Sequence, residues 1–199
     1  MRETCAFLAK CGLVCLMILA GAGGMSSGRV AAQSNDPTGL PLLSAESLQY
    51  VGGFRLPRGK SNDIDFSFGG PPLAYNPATN GLFAGSYHGA PAEVSIPTPV
   101  NSSDVNALPF ATFLQPFADP FEGHLTEVST SGLMMQGLLV SGNRLYGSAA
   151  IFYDANNGQR VSHYSRSVQL NQPSFSGWSQ VSETGRSGYV SGWMTAVPS

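Results

Sequence analysis

Leu73-Ala-Tyr-Asn-Pro-Ala-Thr-Asn-Gly-Leu-Phe-Ala-Gly-Ser86 and Gly137-Leu-Leu-Val-Ser-Gly-Asn-Arg-Leu-Tyr-Gly-Ser148 are two versions of one pattern. Each has a short apolar run, a turn containing Asn and Gly, and a second apolar run that closes in Gly-Ser. Asn and Gly tolerate positive φ better than other residues, so both strings read as β-hairpins. Leu82 aligns with Leu145, 63 residues on, and Gly85-Ser86 with Gly147-Ser148. Gly70 aligns with Gly137, and Val94-Ser95 with Val161-Ser162, each 67 residues on. A third start, Gly188-Tyr-Val-Ser-Gly192-Trp-Met, echoes Gly132-Leu-Met-Met-Gln-Gly137 at separations of 56 and 55. Units of this length holding about four strands each suggest propeller blades with inserted loops.

The rest of the chain agrees with an all-β reading. Strand candidates are 50–56, 73–75, 81–87, 92–96, 125–128, 135–140, 144–152, 160–166, 178–182 and 193–197. They are separated by Gly, Pro, Asn and Ser, with further turn signals at Asn157-Gly158 and Ser141-Gly142-Asn143. After residue 48 no window of a dozen residues keeps a helical apolar rhythm. A single helical turn is expected near 102–108, capped by Ser103 or Asp104. The fold expectation is a partial β-propeller of about two and a half four-stranded blades, two of them recognisable as sheets, with no closed ring. On this reading the chain is incomplete at its C-terminus, and Trp193 in the third unit is poorly covered. The alternative is a self-contained β-sandwich of 8–10 strands.

Three stretches carry a family resemblance: Tyr50-Val-Gly-Gly-Phe-Arg-Leu-Pro, Leu73-Ala-Tyr-Asn-Pro-Ala-Thr-Asn-Gly-Leu-Phe and Val161-Ser-His-Tyr. Through them residues 48–197 resemble uncharacterised exported bacterial β-propeller-like proteins. The resemblance implies the fold and brings no activity and no catalytic residue.

The N-terminus reads as an address. Arg2 and Lys10 precede the apolar run 11–22, which is too short to span a membrane. It suits a secretory signal peptide covering residues 1–32, cut after Val30-Ala31-Ala32, with Ala20-Gly21-Ala22 as the alternative site. An uncleaved N-terminal anchor is the other reading of the same run. Residues 33–47, with Ser, Asn, Asp, Gly and two Pro, read as a flexible segment before the domain at 48–199. Cys5, Cys11 and Cys15 all fall in the leader, so the mature chain holds no disulfide, thiolate nucleophile or cysteine metal site. An exported chain without disulfides favours a bacterial, secreted or periplasmic protein. No membrane span is expected after cleavage.

Composition excludes several functions. The 199 residues hold 24 Gly and 14 Pro, only 11% are charged, and the net charge is -2 with no basic cluster. A coiled coil and a charge-driven nucleic-acid partner are both ruled out. No phosphate-cradling Gly loop and no Gly-x-Ser-x-Gly elbow is present. The small residues at Gly85-Ser86 and Gly147-Ser148 read as close strand packing. Three histidines, His88, His124 and His163, are the candidate acid–base or metal-binding groups, although their spacing matches no local ligand motif. Asp63-Ile-Asp65 offers alternating oxygens for a calcium ion but lacks the glycine and distal glutamate of an EF-hand. No other cofactor is evident. Aromatic residues are plentiful, and most fall in strand candidates where packing is their default; exposed ones are suited to stacking on sugars.

The functional expectation is an exported binding module for a glycan or a protein. The alternative is an extracellular polysaccharide lyase or hydrolase with histidines and carboxylates converging near a propeller axis. Export has a direct check: N-terminal sequencing of secreted or periplasmic protein should begin at Gln33, or at Gly23 if the earlier site is cut. Intact Met1 on a protein recovered from the cytosol would refute it.

Overall fold

The computed structural model describes residues 44–67, 72–86, 89–129, 132–181 and 186–196, which fall in one unit, Pro41–Ser199. The leader at 1–32 and most of the segment at 33–47 lie outside the described residues; Ala45–Ser47 form one exposed 3-10 turn. The described residues are all-β, with two antiparallel four-stranded sheets and helix only as short 3-10 turns.

Sheet 1 is a meander of β1 (Leu73–Asn76), β2 (Gly81–Gly85), β3 (Pro91–Ser95) and β4 (Phe113–Gln115). Sheet 2 repeats it with β5 (Met134–Ser141), β6 (Arg144–Ala150), β7 (His163–Ser167) and β8 (Ser176–Ser179). The turn residues read from the sequence set the hairpins: Asn80 (φ 50°), Gly142 (φ 56°) and Asn157 (φ 51°) are all left-handed. Asp104 caps the 3-10 turn Val105–Ala107 by accepting from the Asn106 backbone N–H at 2.8 Å. Among the described residues the sheets close neither a barrel nor a ring.

Register fixes how the units correspond. Tyr75 pairs with Leu82 in sheet 1 as Val140 pairs with Leu145 in sheet 2, and Ala74 pairs with Phe83 as Leu139 pairs with Tyr146. The first strands are therefore offset by 65 residues and the second by 63. The third strands depart from the sequence alignment. Val94 faces Leu82, whereas Leu145 faces Arg166, so the counterpart of Val94 is Arg166 and not Val161. The longer loop after β6 carries Val161 and Ser162 to the approach of β7. Likewise Ser148 corresponds to Gly85 rather than to Ser86, because the 63-residue offset runs through β6 without a gap. Gly70 lies outside the described residues.

Other strand expectations are corrected. Residues 50–56 make only isolated bridges, Gly53 to Val100 and Arg55 to Phe110. Residues 125–127 belong to the 3-10 turn His124–Glu127, which Gly123 opens at φ 87° and Val128 caps. Residues 193–196 form no strand, and Trp193 is 95% exposed.

The inner face of sheet 1 packs on sheet 2. Alternation across the register puts Ala74, Phe83, Glu93 and Gln115 in one row on that face. Ala74 and Phe83 bury against Met135, Leu138, Leu145, Val168 and Leu170. Fully burying a Phe side chain contributes roughly 1.5–3 kcal/mol. A second cluster under sheet 2 joins Phe121, Leu133, Ala149 and Tyr164, with Phe175 and Trp178 against it. A third, on the far side of β3 and β4, joins Ala90, Ala92 and Phe117 with Ile64, Phe66 and Phe113.

A polar staple accompanies the apolar contact. The buried Glu93 carboxylate accepts from Asn76 Nδ2 (2.8 Å), from the Thr79 hydroxyl and from Gln115 Nε2 (2.5 Å). Gln115 Nε2 also donates to the Val168 carbonyl at 2.8 Å, and its Oε1 accepts from the Leu170 N–H at 2.7 Å. One amide thus links β4 to the segment following β7. Removing it leaves one oxygen of the buried carboxylate, a carbonyl and an N–H without this partner, each costing about 1–3 kcal/mol. Gln115→Ala should lower Tm by several degrees, and Gln115→Glu, which brings a second carboxylate beside Glu93, should lower it further. Thermal unfolding followed by circular dichroism measures both.

Candidate functional site

The structure separates the histidine and carboxylate candidates. His163 leaves β7 on the face shared with Ser148, and its Nδ1 lies 2.8 Å from the Ser162 hydroxyl. His124 lies on the other side of that sheet. Its ring stacks on Phe175 (centroids 4.5 Å apart), which in turn stacks on Tyr164, the residue after His163. His124 Nδ1 sits 2.6 Å from Glu127 Oε1, and its carbonyl accepts from Trp178 Nε1. Asp63 and Asp65 belong to the tight turn closed by Ser61 and Ile64, where Asp65 Oδ1 accepts from the Ser67 N–H at 2.9 Å. His88 lies outside the described residues. Among the described residues no three His, Cys, Asp or Glu side chains converge to hold a metal ion.

Two clefts on the described surface bear on the site. The larger, about 340 Å³, opens where β4 meets the loop after β7 and is lined by Asn62, Gln115, Phe117, Gln169 and Asn171 among others. Its Gln115 amide is engaged in the staple, and Asn62 Nδ2 donates to the Phe117 carbonyl at 2.7 Å. Asn62 and Gln115 therefore serve the fold.

The other cleft, about 180 Å³, lies beyond the end of β6, between the loop 151–159 and the 3-10 turn Ser187–Val190. Its walls include Phe152, Asp154, Gln159, Arg186, Gly188 and Tyr189. The floor is fixed by local hydrogen bonds. Gln159 is buried; its Nε2 donates to the carbonyls of Ala149 (2.8 Å) and Val161 (2.9 Å), and its Oε1 accepts from the Ile151 N–H (2.8 Å). Asp154 takes the N–H groups of Gly158 and Gln159, each at 2.8 Å. The Gln159 N–H and then the Gly158 N–H hold its carboxyl below the usual carboxylate range, so it remains ionised in mild acid.

The two walls are tied together. The buried Ser187 hydroxyl donates to the Arg160 carbonyl, and the Ser187 N–H donates to the Gln159 carbonyl at 3.3 Å. Tyr189 Oη donates to Asn157 Oδ1 at 2.9 Å across the cleft mouth. Above this fixed frame the aromatic rings stand in solvent: Phe152 and its neighbour Tyr153 are each 82% exposed, and Tyr189 is 75% exposed. Among the described residues nothing accepts a hydrogen bond from the Arg186 guanidinium at the rim. Phe152 lies in the strand expected at 144–152, whereas β6 ends at Ala150, and neither Gln159 nor Arg186 belongs to a recognisable motif. The signal lay in Phe152-Tyr-Asp-Ala-Asn-Asn-Gly158, two aromatics running directly into a turn.

Comparison with protein families, with curated proteins and with solved structures yields no match. Among the described residues no helix is long and apolar enough to cross a membrane.

His163 gives a pH readout of the sheet 2 surface. Partial burial disfavours its charged ring and holds its pKa below the ordinary imidazole value. The unfolded chain then binds this proton more readily than the fold does. The associated stability is present above the unfolded-state pKa, ~6.5, and is lost as pH falls through the lower folded value. Tm should decline between neutral and mildly acidic pH, and His163→Gln should flatten that decline; an unchanged slope in the variant would contradict the assignment.

Proposed function

We propose that the protein is an exported binding module, built from successive propeller blades, that takes an acidic glycan in the cleft between the loop 151–159 and the Ser187–Val190 turn. Three observations support the blade reading. Each sheet is a sequential four-stranded meander, the register offsets run without a gap through the first two strands, and β1 of one sheet neighbours β5 of the next. The leader supports export.

The ligand reading rests on one observation: the exposed rings of Phe152, Tyr153 and Tyr189 beside a cleft whose polar floor is already hydrogen-bonded. Keeping three aromatic rings in water forgoes roughly 1.5–3 kcal/mol each, and exposed apolar patches of this kind mark binding surfaces. Sugars present flat C–H faces that stack on aromatic rings, while their hydroxyls remain hydrated at a polar rim. Arg186 supplies a planar cation of the geometry that recognises a carboxylate, which favours uronate-bearing chains over neutral ones. Acid–base catalysis by histidine has no comparable support, since His124 and His163 lie on opposite sides of sheet 2.

Titration calorimetry against uronate-containing and neutral oligosaccharides tests the reading. The wild type should prefer the uronates. Phe152→Ala and Tyr189→Ala should each weaken binding about tenfold, about 1.4 kcal/mol. Arg186→Gln should bring the uronates down to the affinity of the neutral sugars. Absence of binding to either class, or binding untouched by all three substitutions, would defeat the proposal.

A further inference from the structure

The cleft beside the loop 151–159 holds two opposite charges that do not neutralise each other. Asp154 stands on the loop and Arg186 at the head of the Ser187–Val190 turn, and both line the same space of about 180 Å³. Among the described residues no ion pair joins them. Each is fastened to its own wall. Asp154 accepts through Oδ1 from the Gly158 N–H and through Oδ2 from the Gln159 N–H, each at 2.8 Å. The Arg186 backbone is fixed by the Tyr189 N–H, which donates to its carbonyl at 3.0 Å. The hydrogen bonds from Ser187 to Arg160 and from Tyr189 to Asn157 then set the spacing of the two walls.

Asp154 is not exhausted by its two contacts. An ionised carboxylate offers about four acceptor sites, and the N–H groups use one on each oxygen. The Gln159 and Gly158 N–H groups, with a smaller contribution from Arg160, hold its pKa below the ordinary carboxylate value, so the charge persists in mild acid. A ligand that brings only a carboxylate to Arg186 therefore sets a second negative charge in a cleft that already holds one. Like charges juxtaposed in this way cost affinity.

The complement of the cleft is a ligand with an anion for Arg186 and a cationic donor for Asp154. The space of about 180 Å³ is below the roughly 300–1,000 Å³ that holds a drug-sized molecule, so a short stretch of sugar chain reaches both walls. In sugars the cationic donor is the free amine of a hexosamine, an ammonium in mild acid. Acetylation turns it into a neutral amide N–H, whose hydrogen bond to a carboxylate is weaker than that of an ammonium.

We infer that the glycan taken by this cleft is zwitterionic, a uronate linked to a hexosamine with a free amine, its carboxylate on Arg186 and its ammonium on Asp154. Phe152 and Tyr189 stack on the ring faces. The inference rests on the acidic-glycan reading of the cleft and narrows it.

Titration calorimetry on the full chain in mildly acidic buffer tests it with four probes: an oligosaccharide alternating uronate and glucosamine, the same compound after N-acetylation, an oligouronate and an oligoglucosamine. The free-amine alternating compound should bind about tenfold tighter than its N-acetylated form, the difference of one charge-assisted hydrogen bond. It should also exceed both single-sugar oligomers. Equal affinity for the free and acetylated compounds, with uronates still preferred to neutral sugars, would overturn the inference and leave the acidic-glycan reading standing. Oligoglucosamine binding as tightly as the alternating compound would overturn it too, because the carboxylate would then contribute nothing. Binding of none of the four would remove the acidic-glycan reading and this inference with it. Asp154→Asn keeps an oxygen for the Gly158 N–H and loses the charge, so it should abolish the difference between amine and acetamide; a difference that persists would place the ammonium elsewhere and overturn the assignment. Should that variant fail to fold, the comparisons among the four probes on the wild type decide the matter alone.

Discussion

The Gln115 side-chain amide holds the position on which the packing of the two sheets depends. It sits on the outermost and shortest strand of sheet 1, where only three residues secure the pairing. Through it the buried Glu93 carboxylate is joined to the backbone at Val168 and Leu170. Among the described residues no cation pairs with it, and a buried carboxylate tolerates that environment only when its oxygens are hydrogen-bonded. Asn76, Thr79 and Gln115 supply those bonds, and all three must be in place at once. Gly81 enters the same constraint: a Cβ there would lie 2.7 Å from Glu93 Oε1 and 2.8 Å from Thr79 Oγ1. The apolar contact of Phe83 with Leu138 and Leu145 would survive sliding or rotation, whereas this polar set accepts one register.

Sheet 2 solves the matching problem with opposite charge. Arg166, also buried, sends Nη1 to the Asp119 carbonyl at 2.7 Å and Nη2 to the Leu170 carbonyl at 2.9 Å. Glu122 Oε1 lies 3.3 Å from its Nη2 and also accepts from the Ser174 N–H. Leu170 is thereby held from both sides, its N–H by Gln115 and its carbonyl by Arg166. The connection between β4 and sheet 2 is fastened at both ends of one residue, which fixes the spacing of the two meanders along the chain. A buried ion pair of this kind adds little net stability by itself; its contribution lies in setting where the loop runs.

What was legible in the sequence was local. Asn80, Gly142 and Asn157 announce their turns because positive φ is a property of single residues, and the flanking hairpin strands follow from them. β4 was not legible: Phe113–Gln115 is too short to show alternation, and it exists because β3 offers a partner. The opposite error occurred at 125–128, where apolar residues suggested a strand. Asp119 there takes the N–H groups of Phe121 and Gly123 and bends the chain into a turn. The histidines attract notice as reactive side chains, yet sheet geometry sends His124 and His163 to different surfaces. The cleft is made by Gln159, Ser187 and Tyr189, whose importance lies in hydrogen bonds across 27 to 32 residues of chain that no local pattern records.

The cleft and the packing of the two sheets come from the same cause. A meander buries a face only against another sheet, so every unit depends on its neighbour for half of its packing. The segment entering sheet 2 lies on sheet 1, Met135 against Gly85, and runs on in β5; after β8 the chain docks on sheet 2 at Gly192 by way of Ser148, and the Ser187–Val190 turn just before it leans on Gln159 and Arg160. That lean creates a rigid notch against the loop after β6. The loop itself is longer than its counterpart in sheet 1, where only Ser86 to Ala90 separate β2 from β3. The extra length that displaced Val161 from its expected place in β7 is also the length that carries Phe152 and Tyr153 out into solvent. The irregularity in the repeat and the candidate cleft are one feature: a regular scaffold keeps its strands in step and places its inserted residues at the loop end, in solvent.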